Sequence, residues 1–369
     1  MMTMTMTVII AFFSLISRLK INLRSKVSTS NKHYRRRNLQ FLDPKTVEMK
    51  EKELITPEET PDEETIPTPI HQIPYLKKEI EEGGRLGNMM FQWAAIMGIA
   101  RLNNLQPCHV PGTGNYWHEM LDAFEREFQE CPDGDNVAYR WSDSQLDPLQ
   151  VLRDPNDDRD VGIVEPTYLE KYRYFRDIPH EVFQAFKLRE NHINAANEYL
   201  HPFIDSNPDI IKIGIHVRRG DLQNLHDLTF LKPSQFLVSP SYFENAMYFY
   251  RKRFGPNVRF FIASNTMSWC KEQEVFQNQP DVTFLPESSE YTPLTDFAIL
   301  TTMDHLIISF GTFSWWAAFM GPSSRGGMVL YHDPVTINND VLPSWLHIPD
   351  EPDMMAHYEI YEKYFGNNE

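Results

Sequence analysis

Ile211-Lys-Ile-Gly-Ile-His-Val-Arg-Arg-Gly-Asp221 is the stretch on which the reading of this chain turns. From Ile210 to Val217 it is apolar and largely β-branched, the composition of a buried strand. His216, Arg218, Arg219, Gly220 and Asp221 then crowd its carboxyl end. Polar and charged groups there are costly without partners, and in open α/β sheets that edge is where ligands bind. Two adjacent planar guanidinium forks suit a phosphate or diphosphate better than point-charge lysines do. A salt-bridged strand end, with Asp221 neutralising one arginine, would use the same residues. Both readings are open at this point.

Downstream, short apolar runs alternate with helical patterns. Pro240 to Arg253 reads as a helix, and Val258-Arg-Phe-Phe-Ile-Ala263 as a strand ending in Ser264-Asn265. A helix-like Ser268 to Phe276 follows, then a strand at Val282-Thr-Phe-Leu285, a helix over Asp296 to Asp304 and a strand at His305 to Ser309. Gly311-Thr-Phe-Ser-Trp-Trp-Ala-Ala-Phe-Met320 passes from loop to helix, and Gly327 to Tyr331 gives a fifth strand. This alternation predicts a parallel, doubly wound sheet. His216 to Asp221, Ser264-Asn265 and Gly311-Thr312 all fall at strand carboxyl ends. Three such placements on one edge favour a binding site over unrelated turns.

Upstream, the folded body is expected to begin near Ile80. Gly83-Gly-Arg-Leu-Gly-Asn-Met-Met-Phe-Gln-Trp-Ala-Ala-Ile-Met-Gly-Ile-Ala-Arg101 reads as a Gly-rich loop opening a helix capped by Asn88, with Met89, Trp93, Ile96 and Ala100 on one face. Free N–H groups at such a start can face an anion; tight packing explains the glycines equally well. Residues 108–205 are mixed, and their Asp133-Gly-Asp135 and Asp158-Arg-Asp160 pairs sit in turn-forming sequence, so a metal role is the weaker reading.

The 369 residues, 41% hydrophobic and 13% aromatic, suffice for a two-domain core. A net charge of -16 argues against nucleic acid as a partner, while leaving room for a local basic pocket. Residues 1–42 lack Asp and Glu, and an uncharged Met1–Ser17 precedes a basic flank from Arg18 to Arg37. Seventeen residues are short for a span, where about 20 are usual, and a basic flank after it would keep the downstream side cytosolic. A membrane anchor is the favoured reading, with an Arg-rich targeting leader as the other. From Asp43 the chain turns to Pro, Thr and Glu, a stalk-like composition. Cys108, Cys131 and Cys270 permit one disulfide or none. The expected organisation is 1–42 anchor and flank, 43–79 stalk, 80–205 N-terminal domain, 206–347 C-terminal ligand-binding domain and 348–369 tail.

Gly83-Gly-Arg-Leu-Gly-Asn-Met-Met-Phe-Gln, Ile213-Gly-Ile-His-Val-Arg-Arg-Gly-Asp221 and Ser309-Phe-Gly-Thr-Phe-Ser-Trp-Trp-Ala-Ala318 together resemble the galactoside alpha-1,2-fucosyltransferases, as do Phe261 to Lys271 and Asp296 to Leu300 in the same order. One departure is Trp315, where that family often has a smaller side chain or Ile. The resemblance implies a GT-B-like α/β fold of two Rossmann-type halves with the donor site in the C-terminal half. It also implies GDP-fucose as co-substrate, a β-galactoside-terminated glycan as acceptor, inversion, no cofactor or metal, and a single-pass type II Golgi membrane protein. Carried over, Arg218 would pair with the donor phosphate, with His216, Arg219 and Asp221 shaping the same site. Ser264, Asn265, Asp296, Thr312 and Phe313 would line the nucleotide pocket, and Arg85 and Asn88 the cleft. No general base is identified; Asp221, Asp296 and Glu287 are the candidates. A protein O- or core-type fucosyltransferase and a silent glycan- or nucleotide-binding module are the alternatives.

Overall fold

The computed structural model describes residues 75–78, 84–109, 117–131, 137–141, 161–164, 169–220, 237–287, 292–332 and 341–349. The expected leader, most of the stalk, both Asp-x-Asp pairs, Asp221 and nearly all of the expected tail lie outside the described residues.

Two parallel sheets organise the chain. The first contains β1 (Tyr75–Lys78), β2 (Gln106–His109), β3 (Val137–Trp141) and β4 (Val161–Val164) in the order β2-β1-β4-β3. Every pairing within it is parallel. β1 falls inside the stretch read as stalk. Its four residues Tyr-Leu-Lys-Lys give almost no strand signal, yet Leu76 is fully buried.

The second sheet has six strands, β5 (Ile211–Val217), β6 (Val258–Ser264), β7 (Val282–Phe284), β8 (His305–Ile308), β9 (Val329–Tyr331) and β10 (Leu346–His347), ordered β10-β9-β8-β5-β6-β7. All five pairings are parallel. The alternation read in the sequence therefore yields the expected parallel sheet. Ile213, Ile215 and Val217 are buried on the side opposite the buried Gly214 and His216, as a strand covered on both faces requires.

Helices α1 (Leu86–Leu102), α2 (Trp117–Ala123), α3 (Pro179–Ala185), α4 (Glu190–Ser206), α5 (Pro240–Phe254), α6 (Met267–Glu272), α7 (Pro293–Thr302) and α8 (Thr312–Met320) complete the described elements. α5 starts cleanly because Ser239 caps it, its Oγ accepting from Tyr242 N at 3.4 Å, with Pro240 at the first helical position. Two buried tyrosines then pin α5 to the sheet. Tyr242 Oη donates to Ile308 O at 2.8 Å, and Tyr250 Oη to Met328 O at 2.9 Å.

α1 departs from the amphipathic reading. Every residue from Met89 to Ala100 is buried, so the helix is enclosed all round. Phe91 on α1 meets Trp315 at 4.7 Å and Trp316 at 5.0 Å on α8, and Phe175 stacks on Trp316 at 5.4 Å. An aromatic seam thus joins the two halves of the sequence. Cys108 and Cys131 form a disulfide, and Cys270 is buried and free. Among the described residues no helix is long and apolar enough to cross a membrane.

Candidate functional site

Strand order locates the site. The chain runs outward from β5 through β6 to β7, then returns to place β8 on the other side of β5. Between the carboxyl ends of β5 and β8 the sheet reverses direction, and a crevice opens at such a switch point. His216 lies opposite Ile308 there, and Val217 opposite Ser264.

Arg218 is the first residue beyond β5. Its backbone N–H donates to Ser309 Oγ at 2.9 Å, tying it to the end of β8. Gly311, at the N-cap of α8, has φ of 114°, a region that side-chain-bearing residues rarely adopt. A Cβ there would also stand 3.0 Å from Arg218 Cδ, so glycine leaves the arginine its path along the crevice.

Arg219 turns the other way. Its guanidinium lies over the Trp269 ring at 3.9 Å, and its Nη1 donates to Val238 O at 3.1 Å. Asn265 Oδ1 accepts from the backbone N–H groups of Arg219 at 3.0 Å and Gly220 at 3.2 Å. Ser264 Oγ accepts from Thr266 N at 2.9 Å. Both residues are expected from the sequence to line a pocket; the Asn265 oxygen instead fixes the turn that carries the arginines, and the Ser264 hydroxyl fixes the turn after β6.

His216 is buried beside Phe313, ring centres 5.1 Å apart, and its Nδ1 has no hydrogen-bond partner among the described residues. Burial, reinforced by the Arg218 charge, lowers its pKa to about 3. It is a neutral imidazole at physiological pH, able to donate or accept one bond but not to supply a charge. Phe313 also packs edge-on against Phe297 at 5.3 Å, on the helix that carries Asp296. Burial raises the Asp296 carboxyl to about 7, and its enclosed Oδ1 has no partner among the described residues.

Asn88 does not cap α1. Arg85, exposed, holds the N-cap position, and its carbonyl accepts from Asn88 N at 2.9 Å. The Asn88 side chain reaches outward instead. Thr312 Oγ1, at the start of α8, donates to Asn88 Oδ1 at 2.7 Å, and Asn88 Nδ2 donates to Glu170 Oε1 at 3.0 Å. Gly87 permits this approach, because a Cβ there would stand 2.8 Å or less from Thr312 Oγ1 and the backbone of Thr312 and Phe313.

Glu170 escaped the sequence reading. Burial raises its pKa to about 7, partly offset by the Arg218 charge. No local motif announces it, and its bond to Asn88 spans 82 positions. Of the proposed bases, Glu287 is half exposed and paired with Lys271 at 2.8 Å. Trp315 is buried against Phe91, Tyr172, Phe319 and Trp345, and so belongs to the core. A cavity of about 930 Å³ lies beside β2 and α2, lined by Trp93, His109, Arg126, Phe128 and Arg189. None of His216, Arg218, Asp296, Thr312, Phe313 and Glu170 lines it.

A parallel sheet with a switch-point crevice, a guanidinium at one strand end and two helix N-termini define an α/β protein suited to an anionic, nucleotide-sized ligand. The chain belongs to glycosyl transferase family 11, whose model matches residues 64–334. Galactoside alpha-(1,2)-fucosyltransferase 1 of Mus musculus is 28% identical over 270 residues, 68% of this chain and 64% of that protein. Galactoside alpha-(1,2)-fucosyltransferase 2 of Bos taurus is 26% identical over 283 residues, 72% and 77% of the two chains. The match therefore spans 64% and 77% of the length of these two relatives. POFUT1, solved in complex with GDP, gives a TM-score of 0.45 at 10% identity over 74% of this chain and 98% of that one.

Proposed function

We propose that this protein transfers L-fucose from GDP-fucose to the 2-OH of a terminal β-galactoside, with inversion at the fucose anomeric carbon. The observation that carries the reading is Arg218 at the β5/β8 switch point of a family 11 chain. The names of the relatives support the donor sugar and the linkage.

In this reading the anomeric carbon passes through an oxocarbenium-like state while its bond to the GDP phosphate breaks. The Arg218 guanidinium neutralises the charge that develops on the departing diphosphate. The N-terminus of α8 adds backbone N–H groups to the same region. Neutral His216 and the Phe313 ring close the floor of the pocket, and Asp296 offers a carboxyl oxygen to a ligand donor. Guanidinium and helix dipole take the part a metal plays in other transferases, so the reaction is proposed to need neither metal nor cofactor. By the same reading, the uncharged Met1–Ser17 and the stalk make it a single-pass type II protein of the Golgi membrane.

The test is GDP-fucose consumption by the full chain over an array of glycans. Arg218→Ala should reduce turnover roughly 100- to 1000-fold with the fold intact, and EDTA should leave the wild type unchanged. Near-normal activity of Arg218→Ala would remove that role, and loss in EDTA would favour a metal-dependent enzyme. GDP binding without transfer to any acceptor would mark a silent binding module.

A further inference from the structure

We propose that Glu170 is the general base of the transfer, accepting the proton of the acceptor hydroxyl; the inference rests on the fucosyl-transfer reading above. Inversion requires the attacking oxygen to approach opposite the leaving diphosphate, with a carboxylate on that face. Glu170 comes from the segment before α3, in the N-terminal half, whereas Arg218 extends from β5. Asn88 ties Glu170 to Thr312, the residue after Gly311, and Gly311 borders the Arg218 side chain, so the carboxylate is linked to the edge that carries the arginine.

Position is fixed by a directed chain. Thr312 Oγ1 donates to Asn88 Oδ1, and Asn88 Nδ2 donates to Glu170 Oε1. One carboxylate oxygen is therefore held, while the other accepts no bond among the described residues and the side chain is only half-buried. A base needs this combination of a fixed orientation and one open oxygen. The same chain ties the base to the start of α8, beside Phe313 and Gly311 on the donor edge. The competing carboxylates among the described residues lack that link. Asp296, on α7, makes no bond to Asn88 or Thr312 among the described residues, and Glu287 is held by Lys271.

The step balances without a co-reactant. The acceptor oxygen forms its bond to the anomeric carbon as the bond from that carbon to the GDP phosphate oxygen breaks. The bonding pair leaves on GDP, and the acceptor proton passes to Glu170. A carboxyl held at about 7 is matched to proton removal near neutral pH. Arg218 is the charged group acting on it among the described residues, and its hydrogen-bond chain through Asn88 and Thr312 is neutral.

Glu170→Gln keeps an oxygen for Asn88 and removes the base. In the full chain, kcat should fall roughly 100-fold or more, while KM for GDP-fucose and GDP affinity stay within about two-fold of wild type. The acidic limb of the wild-type pH–rate profile, near pH 7, should vanish in the variant, and formate should partly restore Glu170→Ala. GDP affinity, measured by calorimetry, separates lost chemistry from lost folding. Retained kcat, an unchanged acidic limb, or loss of GDP binding along with kcat would each overturn the proposal. A wild-type chain that binds no GDP and consumes no GDP-fucose removes the underlying reading, and this inference with it.

Discussion

Burial holds the Asp296 carboxyl near 7, so at higher pH the folded protein carries a charge whose Oδ1 has no partner among the described residues. In the unfolded chain the same group ionises near 3.8, the ordinary value for an aspartate. Between roughly pH 4 and 7 the folded state thus retains a proton that the unfolded state has lost, and stability falls as pH rises through that window. Glu170, raised from 4.5 to about 7, contributes in the same direction. Asp296→Asn removes the ionisation but keeps the shape. Its melting temperature should exceed that of wild type above about pH 7, the advantage shrinking toward about pH 4. A difference independent of pH would show that Asp296 is not a buried titrating group. The same variant should weaken GDP binding if its carboxyl meets the ligand as proposed.

Helix α1 shows how an element converts small residues into a site. Gly87 brings its first turn against the first turn of α8, and this proximity lets Asn88 bridge Thr312 and Glu170. Gly87→Ala would place a methyl group within van der Waals overlap of backbone atoms, which cannot swing aside as a side-chain tip can. We expect a loss of roughly 1–3 kcal/mol in stability, as in other overpacked contacts, and a fall in turnover larger than that in GDP affinity. Urea titration and steady-state kinetics check the two parts; wild-type values in both would deny the contact a role. The Gly-rich stretch was legible in the sequence as a helix start, but its partner was not. Such an approach is fixed by a helix more than 200 positions away, to which Asn88 is bonded. The same distinction separates the two sheets. β5, β6 and β8 are apolar runs buried on both faces, and so declare themselves. β1 and β2 read Tyr-Leu-Lys-Lys and Gln-Pro-Cys-His. β2 tolerates its Pro107 because it is an edge strand, where a missing N–H need not break a ladder.

At the scale of the whole described body, stability and site geometry converge on the aromatic seam. Trp316 is completely buried, stacked on Phe175 at 5.4 Å and edge-on to Phe186 at 5.1 Å. Phe175 and Phe186 flank α3, in the same N-terminal half as Glu170, while Trp316 stands on α8, whose first residue is Thr312. The ring stack therefore holds together the two ends of the Thr312–Asn88–Glu170 chain. In the sequence, Phe-Ser-Trp-Trp-Ala-Ala reads as one motif, and only packing assigns Trp315 and Trp316 to this seam. Trp316→Ala leaves a cavity that neighbouring rings cannot fill, at a cost of roughly 3–5 kcal/mol. Since the seam belongs to both halves, the loss should lower one cooperative transition rather than split it in two. Circular dichroism for secondary structure and GDP protection for the donor edge should then report the same midpoint. Separate midpoints in the variant, or an unmoved wild-type-like transition, would show that the halves are stabilised independently of Trp316.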